Sequence, residues 1–176
     1  LIHCALDDRI PNMAIFIYPY VSWFPYIVVC AALAIKNLDD RQFKKAVLVL
    51  TTGMNIFLFI SYVWPTGLDL RESIVYDLHT LSGNLLKFVQ TVDTPKSVFP
   101  SMHVYVTLVL QYTLEMQKKL VPALGIWVGR VLAVLIVLST MFTKQHSAVD
   151  VTAAIVMFAV LALAAEKLVK EPKEGN

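Results

Sequence analysis

Residues 139–151 read Ser-Thr-Met-Phe-Thr-Lys-Gln-His-Ser-Ala-Val-Asp-Val and lie between two long apolar segments, about Leu124–Phe142 and Val149–Leu168. The pattern is that of two membrane-crossing helices joined by a short polar turn. Lys144, His146 and Asp150 fall within seven residues at what the flanking segments make a membrane edge. Ionisable groups are costly there, so the run marks a functional site as well as a turn. His146 and Asp150 are four apart. If the following helix begins near Ser147, they lie on the same side of it. A carboxylate beneath an imidazole fixes its tautomer and favours its cationic form, which makes His146 a candidate nucleophile or base.

The rest of the composition agrees with a membrane setting. Of the 176 residues, 57% are hydrophobic and 16% charged, against about 25% charged in an ordinary soluble domain. Mean hydropathy is +0.65. Three uninterrupted apolar runs of bilayer length or nearly so define a polytopic membrane protein. A net charge of +2 gives no indication of nucleic-acid binding. The two cysteines, Cys4 and Cys30, are too few for a disulfide framework, and Cys30 falls in an apolar run where it reads as core.

Outward from the central turn, the spacing predicts an all-α bundle of five spans in one domain, residues 1–176. Leu1–Pro11 reads as a polar loop. The first span is Met13–Ile35, with kinks at Pro19 and Pro25 and an aromatic belt of Tyr18, Tyr20, Trp23 and Tyr26. Lys36–Lys45 is a charged loop, and Ala46–Trp64 is the second span. Pro65-Thr66-Gly67 signals a turn. From Arg71 to Val92, apolar residues at Ile74, Leu78, Leu81, Leu85 and Val89 recur at steps of three and four, an amphipathic helix lying over the site. Met102–Met116 is a short third span carrying Gln111 and Glu115; Leu124–Phe142 and Val149–Leu168 are the fourth and fifth. Arg130, inside the fourth, is expected to reach the interface or to pair with Glu115.

Counting basic residues orients the bundle. The side holding the 36–45 loop, the Lys118-Lys119 turn and the C-terminus carries Lys36, Arg41, Lys44, Lys45, Lys118, Lys119, Lys167, Lys170 and Lys173. The opposite side carries Arg9, Arg71, Lys87, Lys96 and Lys144. Nine against five makes the first side cytoplasmic. The ends of spans two and four and the starts of spans three and five then meet on the extracytoplasmic face. The odd span count places the N-terminus outside, an arrangement that a further span ahead of Leu1 explains.

Three blocks resemble those of a known family. Pro100-Ser101-Met102-His103 is similar to the Pro-Ser-Gly-His motif of the type 2 phosphatidic acid phosphatase superfamily. Ser139–Asp150 resembles that family's third motif, Ser-Arg, five residues, His, three residues, Asp. Pro65–Glu72 resembles, more weakly, the first motif, which ends in Arg-Pro. Order and spacing match across nearly the whole chain. Four positions depart from the pattern. Trp64 stands at the first-motif lysine, Glu72 follows Arg71, Met102 replaces the glycine and Thr140 the arginine. The run Thr143-Lys144-Gln145-His146 is similar to a bacterial sub-branch grouped with inositol-phosphotransferase-like members.

The resemblance implies a membrane-embedded lipid phosphate phosphatase working without metal or other cofactor. His146 would attack phosphorus to form a phosphohistidine, Asp150 would orient it, and His103 would protonate the leaving oxygen. Arg71 and Lys144, with Ser101 as a hydroxyl donor, would hold the phosphoryl oxygens; Lys96 is a second candidate cation. The partners implied are a phosphatidate-like or polyprenyl phosphate and the bilayer itself, and no oligomeric state is implied. Two other functions fit the same residues. One is transfer of the phosphoryl group to an alcohol, as in a head-group phosphotransferase. The other is a non-catalytic lipid-binding protein with a degenerate site.

Overall fold

The computed structural model describes residues 1–71 and 74–169. Those residues form an all-helical bundle. The helices are α1 (Ala5–Arg9), α2 (Ile17–Val21), α3 (Trp23–Asn37), α4 (Asp40–Val63), α5 (Leu81–Val92), α6 (Met102–Met116), α7 (Ala123–Phe142) and α8 (Ala148–Leu168). A short 3-10 turn, Ala14–Phe16, leads into α2. Among the described residues, four segments are long and apolar enough to cross a membrane: Ala14–Asn37, Asp40–Val63, Ala123–Phe142 and Ala148–Leu168. Their outward faces stay apolar and uncovered, with Val28, Phe59, Val134 and Leu163 all more than half exposed. A bilayer would cover such surface.

The span expected over Met102–Met116 is a helix of 15 residues, about 22 Å long at 1.5 Å per residue. It falls short of the roughly 30 Å of hydrocarbon. Instead α6 is the axis of the bundle and packs on α3, α4, α7 and α8. One of its faces shares Leu110 and Leu114 with Tyr26, Cys30, Ile126 and Ile136. The other shares Val104, Tyr105 and Val109 with Val49, Val151 and Ala154. A helix enclosed on both sides can carry Gln111 and Glu115, because partners replace the water they lose. The Arg130–Glu115 pairing is present as a fork of 2.7 and 2.8 Å.

Tyr105 shows how closely α6 sits. It is fully buried, and its hydroxyl donates to the Val49 carbonyl at 2.5 Å. A Cβ on Gly53 would fall 2.1 Å from its ring. The ring cannot retreat without losing that bond, so only glycine fits. Gly53→Ala is expected to cost about 1–3 kcal/mol by overpacking, read as a lower thermal midpoint in detergent. An unchanged midpoint would show that the ring is not seated there.

Other segments differ from the sequence expectation. The polar start contains α1, folded back so that the Asp7 carboxylate accepts the Cys4 N–H at 2.9 Å. The amphipathic helix begins at Leu81, ten residues later than Arg71. The Asp77 carboxylate holds the His79 N–H, and Thr80 caps the helix by accepting from Gly83 N–H at 3.1 Å; side-chain bonds of this kind stop a helix from extending backwards. Glu72 and Ser73, within the expected helix, lie outside the described residues, as do Lys170 and Lys173. Finally, Tyr20 and Tyr26 of the expected aromatic belt are buried, 3% and 5% exposed. The chain breaks between α2 and α3 at Ser22, and both tyrosines turn inward.

The ends of the bundle are fixed by polar ties. At one, Asn37 reaches Gln117, Gln42 reaches the Met116 carbonyl, and Lys45 pairs with Glu166. At the other, Met13 N–H meets the Phe142 carbonyl and Ser101 N–H meets the Asp150 carbonyl. This second end gathers the end of α4, the starts of α6 and α8, and the end of α7. It holds the candidate site.

Candidate active site

The α7–α8 turn is built from its own hydroxyls and one left-handed residue. Ser139 and Thr143 are fully buried, and Thr143 Oγ1 donates to the Ser139 carbonyl at 2.7 Å. Lys144 takes φ 55°, and the chain reverses so that both Gln145 and His146 N–H donate to the Thr140 carbonyl. Ser147 caps α8, and the Asp150 carboxylate accepts the Ser147 N–H at 3.0 Å. The same carboxylate oxygen lies 3.4 Å from His146 Nδ1. Asp150 thus serves the helix start and the imidazole together, both of them buried.

His103 lies in the first turn of α6, with Ser101 as N-cap accepting from Val104 N–H. The bond between Ser101 N–H and the Asp150 carbonyl, 3.2 Å, ties the start of α6 to the start of α8. That tie brings His103 Nδ1 to 3.5 Å from His146 Nε2, with ring centroids 5.6 Å apart. Trp23 lies 4.5 Å from the His103 ring on another side.

A cavity of about 260 Å³ opens beside the two rings, lined among others by Arg71, Asp93, Lys96, Gln145 and both histidines. Arg71 binds the walls together. It donates to the Gln145 side chain, to the Asp93 and Gln90 carbonyls and to the Lys144 carbonyl. Burial pulls its pKa down from the ordinary value, while the neighbouring Asp93 carboxylate pushes it up. Gln145 is 1% exposed, and its Nε2 has no protein partner.

Of the six residues singled out from sequence, the structure brings four together: His146, His103, Asp150 and Arg71. The other two stand apart from the cavity. Lys144 directs its ammonium away, donating to the Asp7 and Ile10 carbonyls at 2.6 and 2.5 Å. Ser101 is fully buried with its hydroxyl on the α6 cap. Lys96, the second candidate cation, does line the cavity.

Four residues of the site carry no signal in the motifs. Gln145 lies inside a quoted run without a role there. Tyr20 reaches His103 Nε2 with its hydroxyl oxygen and donates to Asp93, which also lines the cavity. Asp7 accepts from Ser147 Oγ at 2.5 Å and Ala148 N–H at 2.8 Å, capping α8 from α1. Burial alone would raise the Asp7 pKa, but these bonds and the Cys4 N–H hold it below the ordinary carboxylate value. Among the described residues no group of three or more His, Cys, Asp or Glu is arranged to hold a metal ion.

No family model, curated protein or solved structure matches the chain.

Proposed function

We propose that the protein is an integral membrane phosphatase acting on a lipid phosphate through a phosphohistidine. The observation that carries this reading is the facing pair of imidazoles, His146 Nε2 and His103 Nδ1, 3.5 Å apart, with a buried carboxylate behind the first. The three sequence blocks that resemble the type 2 phosphatidic acid phosphatase superfamily support it, as does an apolar bundle beside which a lipid tail can remain in the bilayer.

The geometry supports the following chemistry. His146 Nε2 attacks phosphorus, and the N–P bond forms as the P–O bond to the lipid breaks. The departing oxygen takes the proton from His103 Nδ1. Water then attacks phosphorus, giving its proton to His103 as the N–P bond breaks and phosphate leaves. A gap one hydrogen bond wide cannot hold a phosphoryl group in line, so substrate binding parts the two rings. Arg71 and Lys96 supply positive charge to the phosphoryl oxygens in this reading, and the free Nε2 of Gln145 supplies a neutral donor. The basic-residue count supports a site on the extracytoplasmic face.

The test is direct. Purified protein in detergent, given phosphatidate-like and polyprenyl phosphates carrying labelled phosphorus, is expected to release phosphate. Rapid quenching should trap label in an acid-labile, base-stable adduct on His146. Label passing to an added polyol in place of water would favour the phosphotransferase reading. Lipid binding with neither turnover nor adduct would favour the non-catalytic one.

A further inference from the structure

His103 has a support of its own. The Tyr20 hydroxyl donates to Asp93 Oδ2 at 2.7 Å and lies 3.1 Å from His103 Nε2. We propose that Tyr20 and Asp93 are positioning residues for His103, the counterpart of what Asp150 does for His146. This inference rests on the phosphatase reading for its kinetic consequence but not for its structural one.

The hydrogen-bond logic leaves little freedom. Tyr20 commits its only proton to the carboxylate, so its oxygen is an acceptor toward the ring. His103 must then carry a proton on Nε2. In the neutral ring that leaves the Nδ1 lone pair facing His146, 3.5 Å away. In the imidazolium, Nδ1 gains the proton and aims it at the gap where a leaving oxygen would sit. Burial and the neighbouring His146 hold the His103 pKa below the ordinary imidazole value; the Asp93 charge, relayed by one hydroxyl, offsets part of that. After the proton is given up, the ring returns to the tautomer Tyr20 selects. Each imidazole therefore has one nitrogen toward the gap and the other backed by a carboxylate, Asp150 directly and Asp93 through Tyr20.

The three residues come from three separate elements: α2, the C-cap of α5, and α6. Packing alone would be served by phenylalanine at position 20, which is 3% exposed. The alternative is that Asp93 merely satisfies a buried tyrosine hydroxyl and His103 is a bystander.

Two measurements separate these. Nitrogen-15 NMR of histidine-labelled protein in micelles, with His103→Ala to assign the signal, reports the tautomer. The neutral His103 ring should be protonated at Nε2 in the wild type and should become a tautomer mixture in Tyr20→Phe and in Asp93→Ala. A ring protonated at Nδ1, or one unchanged in both variants, overturns the proposal whether or not the protein is a phosphatase. The second measurement compares esters. Tyr20→Phe should lower kcat about 10–100-fold on an alkyl phosphate with KM within about twofold, as loss of support for a general acid would. On 4-nitrophenyl phosphate, whose leaving group needs no proton, the first-turnover rate of nitrophenol release should fall by under about threefold. Equal losses on both esters would mark a purely structural role and overturn it. A wild type inactive on both esters sinks the phosphatase reading, and the tautomer result then decides this inference alone.

Discussion

His146→Ala is expected to lower lipid phosphate turnover by at least about 10³-fold and to leave no phosphorylated protein, as loss of a covalent nucleophile does. The size follows from position. His146 is 7% exposed, its Nδ1 faces Asp150, and its Nε2 faces His103. His103→Ala should cost less, about 10²–10⁴-fold, and should still form the adduct from an ester with an activated leaving group. The two variants thus fail differently, one before the covalent step and one in proton delivery. Circular dichroism should show both with native helix content. Full turnover in His146→Ala would end the phosphohistidine mechanism.

The second large effect concerns stability. Asp7→Ala removes the acceptor for Ser147 Oγ, Ala148 N–H and Cys4 N–H together. Each buried donor left unsatisfied costs about 1–3 kcal/mol. Because the three share one carboxylate, the total should be on the order of 2–5 kcal/mol. The measurement is the thermal or denaturant midpoint in micelles, with Asp7→Asn intermediate because it keeps one acceptor. The pH dependence has a definite sign. A carboxyl held below its ordinary pKa stabilises the fold above the unfolded value, and the contribution fades as pH falls through the folded one. Wild type and Asp7→Ala should therefore differ most near neutrality and draw together in acid. A midpoint unmoved by Asp7→Ala would mean that α1 does not cap α8.

What could be read from the sequence divides along chain distance. The helices of α4, α7 and α8 were legible because apolar runs of bilayer length have few other solutions. Even so, α4 starts at Asp40, not Ala46, since Asp39 caps it and accepts from Gln42 N–H at 2.8 Å. The charges at Lys44 and Lys45 looked like loop, yet Lys45 lies in the helix and finds Glu166. His146 and Asp150 were legible because a spacing of four on one helix start is a local fact. His103 came from a motif resemblance, and its meeting with His146 depends on the α6–α8 tie. Tyr20 and Asp7 were not legible. Their partners lie 83 and 140 residues away, and nothing local distinguishes an inward tyrosine from an interfacial one. Lys144 shows the converse. Its proximity to His146 suggested a phosphate ligand, but the nearest acceptors in space are two backbone carbonyls of α1 and its exit.

The fold of α1 onto the α7–α8 turn bears on how the protein should be handled. A protease nick within residues 1–10 would release the segment that steadies the histidine loop. A purification handle is better placed after Val169, which hydrogen-bonds Arg41 a full bundle length from the imidazoles.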